Sequence, residues 1–173
     1  GFVSFAQSQS ISLSGAWQVQ LDADNEWVKK SPETTKTKGT MTLPASLAEA
    51  GYGYKTEGAD SGILTPAYRY IGKAWYTREI EIPESWRGKS IELFLERVLW
   101  QSEVYLDGKA LSRKDALGTP HLHSLGKLAP GVHQLTVVVD NDMIHNIGDK
   151  GHAYSDYTQS IWNGIVGRIE LRA

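Results

Sequence analysis

The sequence predicts an all-β protein, an antiparallel two-sheet β-sandwich, and three observations carry that prediction. Apolar and polar residues alternate in run after run, as in Ile91-Glu-Leu-Phe-Leu95 and Gly15-Ala-Trp-Gln-Val-Gln-Leu21, which is the period of a half-buried strand. Turn signals fall at short spacing between the runs: Pro83, Gly88, Asp107-Gly108 and Pro130-Gly131. No segment holds a helical period for three turns. Strands with one apolar face must bury it, and two stacked antiparallel sheets are the usual solution.

Each element follows in order. Ile11 to Leu21 is predicted as one strand, with Trp17, Val19 and Leu21 on the core face and Gln18 and Gln20 opposite. Asp22 to Lys38 is polar and reads as a loop. Gly39 to Pro44 is a short strand stopped by proline, which lacks the N–H a ladder needs. Ala45 to Lys73, rich in Gly and Tyr, reads as a second loop, and loops of that length are often functional. Tyr76, Ile80 and Ile82 share one face of the next strand, with Thr77, Glu79 and Glu81 on the other. Glu84 to Arg87 suits a single helical turn. Ile91, Leu93 and Leu95, then Val104 and Leu106, then Leu135, Val137 and Val139 are further core-facing sets, and Val166 to Arg172 is a final alternating strand. Arg97 and Trp100 break the alternation between two strands, marking either a bulge rim that points polar and aromatic groups toward a ligand or a simple inter-sheet corner.

The bulk numbers narrow the function. A chain of 173 residues suits one domain with a substantial core, predicted over 11–173 with residues 1–10 as a disordered tail or signal-peptide remnant. A net charge of −2 without blocks of like charge gives no reason to expect nucleic acid or an anionic membrane as partner. No apolar run reaches the roughly 18 residues a bilayer span needs. With no cysteine there is neither a disulfide framework nor a thiolate metal site. The apolar stretch ending in Ser4-Phe-Ala6, a small-x-small pattern, fits the tail of a secretory signal, so a secreted or periplasmic location is expected. Six Trp and eight Tyr suit strands and core, and their flat rings also suit stacking on sugar faces.

An ordered series of motifs resembles the N-terminal sugar-binding domain of glycoside hydrolase family 2, whose members include β-galactosidases, β-glucuronidases and β-mannosidases. The carriers are Ser14-Gly-Ala-Trp17, Trp75-Tyr-Thr-Arg78 leading to Ile82-Pro83, and Ser102-Glu-Val-Tyr-Leu-Asp-Gly108. Pro130-Gly131, Val139-Asp-Asn141 and Trp162-Asn-Gly-Ile-Val-Gly-Arg168 complete the series. The resemblance implies a jelly-roll similar to galactose-binding domains. It also implies downstream domains of the same polypeptide, with two barrel glutamates performing retaining hydrolysis of O-glycosidic bonds. This chain would then be non-catalytic and would have carbohydrate as its ligand. In some members the loop before the Gly-Ile signature touches the sugar and contributes an acidic residue. Here that position falls at Thr158, with Asp156 two residues away. Asp156, Thr158, Gln159 and Asn163 are the candidate hydrogen-bonding residues and Trp162 the candidate stacking ring.

Other chemistry is less well supported. His121-Leu-His123 places two imidazoles on one strand face, a spacing metals use, but no acidic or thiol partner accompanies them and solvent-facing histidines are the expectation. Asp140-Asn-Asp142 and Asp22-Ala-Asp-Asn-Glu26 are oxygen-rich and would suit a structural Ca²⁺, yet neither has the glycine and spaced glutamate of an EF-hand. They read as solvated turns, and no cofactor is expected. Asn25-Glu26 matches the dipeptide of the family's acid/base but lies outside any barrel context. Gly51 to Gly58 and Gly58 to Gly62 fit neither a phosphate cradle nor a nucleophile elbow. A stand-alone carbohydrate-binding module remains the alternative, and a self-contained enzyme would have to use His121, His145 or His152 with Asp156.

Overall fold

The computed structural model describes residues 8–30, 36–56, 66–144 and 161–173. Its strands are, in chain order, β1 (Ser10–Ser12), β2 (Gly15–Leu21), β3 (Lys38–Leu43), β4 (Ala45–Ser46), β5 (Tyr54–Lys55), β6 (Tyr68–Arg69) and β7 (Lys73–Ile82). Then follow β8 (Ser90–Arg97), β9 (Gln101–Leu106), β10 (Lys109–Asp115), β11 (His121–Lys127), β12 (Gly131–Asp140) and β13 (Gly164–Arg172). Two antiparallel sheets stack as a sandwich. One has the order β1-β13-β8-β11 with β4 added on β13, and the other has β10-β9-β12-β7-β2-β3.

The alternation read from the sequence sets the faces. Trp17, Val19 and Leu21, then Tyr76, Ile80 and Ile82, then Ile91, Leu93 and Leu95 all point into one core, joined by Leu135, Val137 and Val139. Each large aliphatic group so buried contributes roughly 1.5–3 kcal/mol by leaving water. β9 and β10 form the hairpin that Asp107-Gly108 announced. Both turn residues take positive φ, 49° and 80°, which matches the right-handed twist of the flanking strands.

Several expectations are revised. The predicted first strand is two: β1 pairs with β13 in one sheet and β2 with β3 and β7 in the other. The chain changes sheets at Leu13-Ser14, where Arg78 Nη1 donates to the carbonyls of both residues, at 2.7 and 3.1 Å. Trp17 Nε1 donates to the Leu13 carbonyl as well. Gln9 and Ala173 exchange backbone bonds and Ser10 lies in β1, so pairing begins within the predicted tail. The polar segment after β2 holds a short helix, Glu26–Lys30. Arg97 and Trp100 flank an inter-sheet corner rather than a bulge rim: Val98, Leu99 and Trp100 are buried as the chain passes from β8 to β9 in the opposite sheet. The polar strand β10 had no apolar alternation to announce it.

Candidate functional site

One end of the sandwich gathers the end of β8, the turn after β4, the start of β13 and the connection from β10 to β11. Between them lies a cleft of about 670 Å³. Val98, Leu99 and Ile161 supply apolar wall, Thr119 and Arg97 supply polar groups, and Trp162 presents an indole. Gly164 brings the cleft's sides together. Its φ is +155°, and a Cβ there would stand 2.5 Å from the Ala45 carbonyl oxygen and 2.7 Å from Ser46 Cα, so only glycine lets β4 close on β13.

Among the described residues, the carboxylates in the cleft wall are Glu49 and Glu96, and both are already committed. Glu49 Oε2 accepts from the Ser46 N–H at 2.8 Å and from its hydroxyl at 3.0 Å, closing the turn after β4. Glu96 Oε2 accepts from the Arg168 N–H at 2.7 Å and from its Nε at 3.1 Å, across the irregularity in β13. These bonds favour the ionised forms, so both carboxyls are held below the usual carboxylate range. A general acid for glycoside cleavage needs the opposite shift.

At Asn163, the residue after Trp162, a buried polar cluster ties three loops together. Tyr76 donates its hydroxyl to Asn163 Oδ1 at 2.8 Å, and Asn163 Nδ2 donates to the carbonyls of Gly72 and Val139 at 2.9 and 3.3 Å. Asn141 Oδ1 accepts from the Gly72 N–H, and its Nδ2 donates to the Tyr70 carbonyl. Burial pushes the Tyr76 hydroxyl well above its ordinary value, keeping it a neutral donor. The run Asp140-Asn-Asp142 is therefore an anchored strand exit, with Asn141 completely enclosed.

The histidines overturn their expectation. His121 and His123 are buried, at 1% and 0% exposure, because β11 lies at the edge of its sheet with both rings turned inward toward β9 and β10. Ser102 Oγ stands 2.5 Å from His121 Nδ1 and 2.8 Å from His123 Nε2. His121 Nε2 reaches the Ala116 carbonyl at 3.0 Å, and His123 Nδ1 reaches Ser112 Oγ at 2.9 Å. A carbonyl only accepts, so His121 carries its proton on Nε2 and accepts at Nδ1. Ser102 must then donate to His121 and accept from His123 Nε2–H, which leaves His123 Nδ1 to accept from Ser112. Every donor has one acceptor, and both rings are neutral. The chain of bonds is structural, joining the two sheets out of reach of a substrate.

Of the residues singled out from sequence, Trp162 lines the cleft, and Asn163 is buried next to it in the chain, 3% exposed with both ends of its amide engaged. Asp156, Thr158 and Gln159 lie outside the described residues, as do His145 and His152. Sequence reasoning did not assign Ser46, Glu49 or Thr119 to the site; of Arg97 and Trp100, which one of its two readings turned toward a ligand, Arg97 lines the cleft. The broken alternation at Arg97 and the Gly118-Thr119-Pro120 turn were the available signals. Among the described residues no group of three metal-binding side chains is found, and no helix is long and apolar enough to cross a membrane.

No protein-family model matches the chain. A β-glucuronidase of Paenibacillus borealis is 26% identical over 132 residues, which is 75% of this chain and 20% of that protein. The solved structure of a Ruminococcus gnavus β-glucuronidase superposes with a TM-score of 0.67 and 21% identity, over 99% of this chain and 30% of its own. The same enzyme in complex with an N1-substituted uronic isofagomine gives 0.68 and 21%, over the same shares. The chain thus spans a fifth of the curated relative and just under a third of the solved enzyme. In sequence and in fold it is similar to one domain of a β-glucuronidase, in agreement with its resemblance to the sandwich domain of family 2 glycoside hydrolases.

Proposed function

We propose that this chain is a non-catalytic, sugar-binding scaffold domain of a family 2 glycoside hydrolase, with cleavage of the O-glycosidic bond performed by a barrel elsewhere in a longer polypeptide. One observation carries the reading: the fold match takes in essentially all of this chain but only 30% of a β-glucuronidase. The cleft supports it. Apolar wall, Trp162 and a few hydrogen-bonding groups suit a sugar with one apolar face and a rim of hydroxyls. Glu49 and Glu96, held ionised by internal bonds, suit structure rather than proton transfer.

In this role Trp162 extends the sugar-contacting wall, and Asn163 holds that wall in place. The test uses the longer polypeptide carrying Trp162→Ala, assayed on chromogenic β-glycosides. KM should rise about tenfold while kcat stays within about twofold, the pattern of lost uniform binding. Unchanged KM and kcat would remove the cleft from the substrate path.

A further inference from the structure

We propose that the outer face of the six-stranded sheet is a second carbohydrate surface, one that docks an extended, uncharged polysaccharide segment. This goes beyond the cleft reading and does not depend on it. A shallow groove of about 880 Å³ crosses β12, β7, β2 and β3 on that face. Strand register sets two parallel rows across it. Thr136, Thr77, Gln18 and Thr40 make one, and Val138, Trp75, Gln20 and Lys38 make the other. Neighbouring strands stand about 4.8 Å apart, so each row spans three such steps, enough for a short run of sugar rings.

The chemistry of the rows selects the occupant. Among the described residues, the charged groups lining the groove are Asp22 and Lys38, of opposite sign, and its middle carries amides, hydroxyls and one indole. A polyanion finds no net positive field here, and a charged protein surface would lose hydration without ionic compensation. Hydroxyls of a neutral glycan need mixed donors and acceptors, and the face supplies them. Gln18 spends one N–H on Thr40 Oγ1 and keeps its carbonyl. Thr77 and Thr136 share a single bond between hydroxyls, leaving one O–H to donate. Gln20 and Gln134 are exposed and make no side-chain hydrogen bond among the described residues. Trp75 adds a half-buried ring beside Val138, which is only 6% exposed although it lies on the outer side.

The opposite sheet shows what a self-satisfied outer face looks like. There Phe94 is capped by the guanidinium of Arg172 at 3.6 Å and approached by that of Arg168 at 5.3 Å. Both arginines are ion-paired, to Glu170 and Glu96. Among the described residues, each row across that face carries a charged side chain, as at Glu170 beside Phe94 and Glu92 beside Arg172.

Affinity electrophoresis of the 173-residue chain in gels containing a soluble neutral β-glucan, a galactomannan or polygalacturonate tests the proposal. Retardation is expected in at least one neutral polysaccharide and not in polygalacturonate. Trp75→Ala and the exposed-residue double variant Gln20→Ala/Gln134→Ala should each weaken it about tenfold. Ser124→Ala, on the other sheet, should leave it unchanged. The double variant removes only exposed groups, so it reports even if Trp75→Ala unfolds. No retardation by either neutral polymer overturns the proposal, as does retardation confined to polygalacturonate. Retardation that survives the double variant and is lost with Trp162→Ala assigns binding to the cleft, and also overturns it.

Discussion

Acidification should loosen this sandwich well before its carboxylates are titrated, because His121 and His123 are neutral links of a closed hydrogen-bond chain. Adding a proton to His121 Nδ1 leaves the buried Ser102 hydroxyl without its acceptor, and adding one to His123 Nδ1 makes Ser112 turn its hydroxyl away and accept instead. Burial pushes both imidazoles down, and His123 falls from 6.5 to about 4, with His121 and Lys114 adding repulsion. The folded state therefore binds fewer protons than the unfolded chain between pH 6.5 and 4. Stability from His123 is fully present above 6.5 and is lost as pH falls toward 4. The whole shift is worth about 3 kcal/mol, with a local slope near 1.4 kcal/mol per pH unit. His133 runs the other way, since Asp107 and the Ala129 carbonyl raise it. It is near the surface, so solvent screening keeps its contribution small. The lowered carboxyls of Glu49, Glu84, Glu96 and Asp107 lose their contribution only as pH falls below about 4.5. That leaves pH 7 to 5 as the window that belongs to the histidines. Urea unfolding at half-unit steps across it should show falling stability, and His123→Leu should flatten the slope. A flat profile in the parent chain, or an unchanged slope in the variant, would refute the neutral network.

Three further outcomes follow from the same geometry. Asn163→Ala should cost about 2–4 kcal/mol by urea unfolding, since it strands the Tyr76 hydroxyl and the Gly72 carbonyl in the interior. Asn163→Asp should cost a similar amount, because a carboxylate cannot donate to either carbonyl. Gly164→Ala should destabilise by about 3 kcal/mol or more, because the added methyl meets the Ala45–Ser46 backbone rather than a flexible side chain; a neutral effect would contradict the close approach of β4. Ser102→Ala should cost about 2–4 kcal/mol by urea unfolding for two lost buried bonds, with the fall in stability between pH 7 and 5 retained, because burial rather than Ser102 lowers both imidazoles.

Strand positions and their core faces were legible because period two is local: Trp17, Val19 and Leu21 declare their face without knowing the partner. The Asp107-Gly108 turn was legible for the same reason, since its positive φ values are a property of two residues. What needed tertiary information was lost. The alternation in Ile11 to Leu21 does not say that the chain changes sheets at Leu13-Ser14, because the corner joins Trp17's local bond to bonds from Arg78, sixty-five residues away from Leu13. The histidines looked solvent-facing because their acceptors and donors, Ser102, Ser112 and Ala116, are scattered through other elements. The candidate site was only partly readable. Trp162 was found through the Gly-Ile signature it precedes. The opposite wall, from Arg97 to Leu99 and from Leu117 to Thr119, depends on a corner between sheets that alternation alone could mark but not aim.

Turnover of chromogenic β-glycosides by the purified 173-residue chain is the most direct measurement of whether bond cleavage resides here. No hydrolysis is expected from the chain alone, and hydrolysis is expected from a longer polypeptide that carries it together with a barrel. Hydrolysis by the isolated chain, abolished by substituting one of its own side chains such as Glu49 or Glu96, would contradict the assignment of chemistry to another domain.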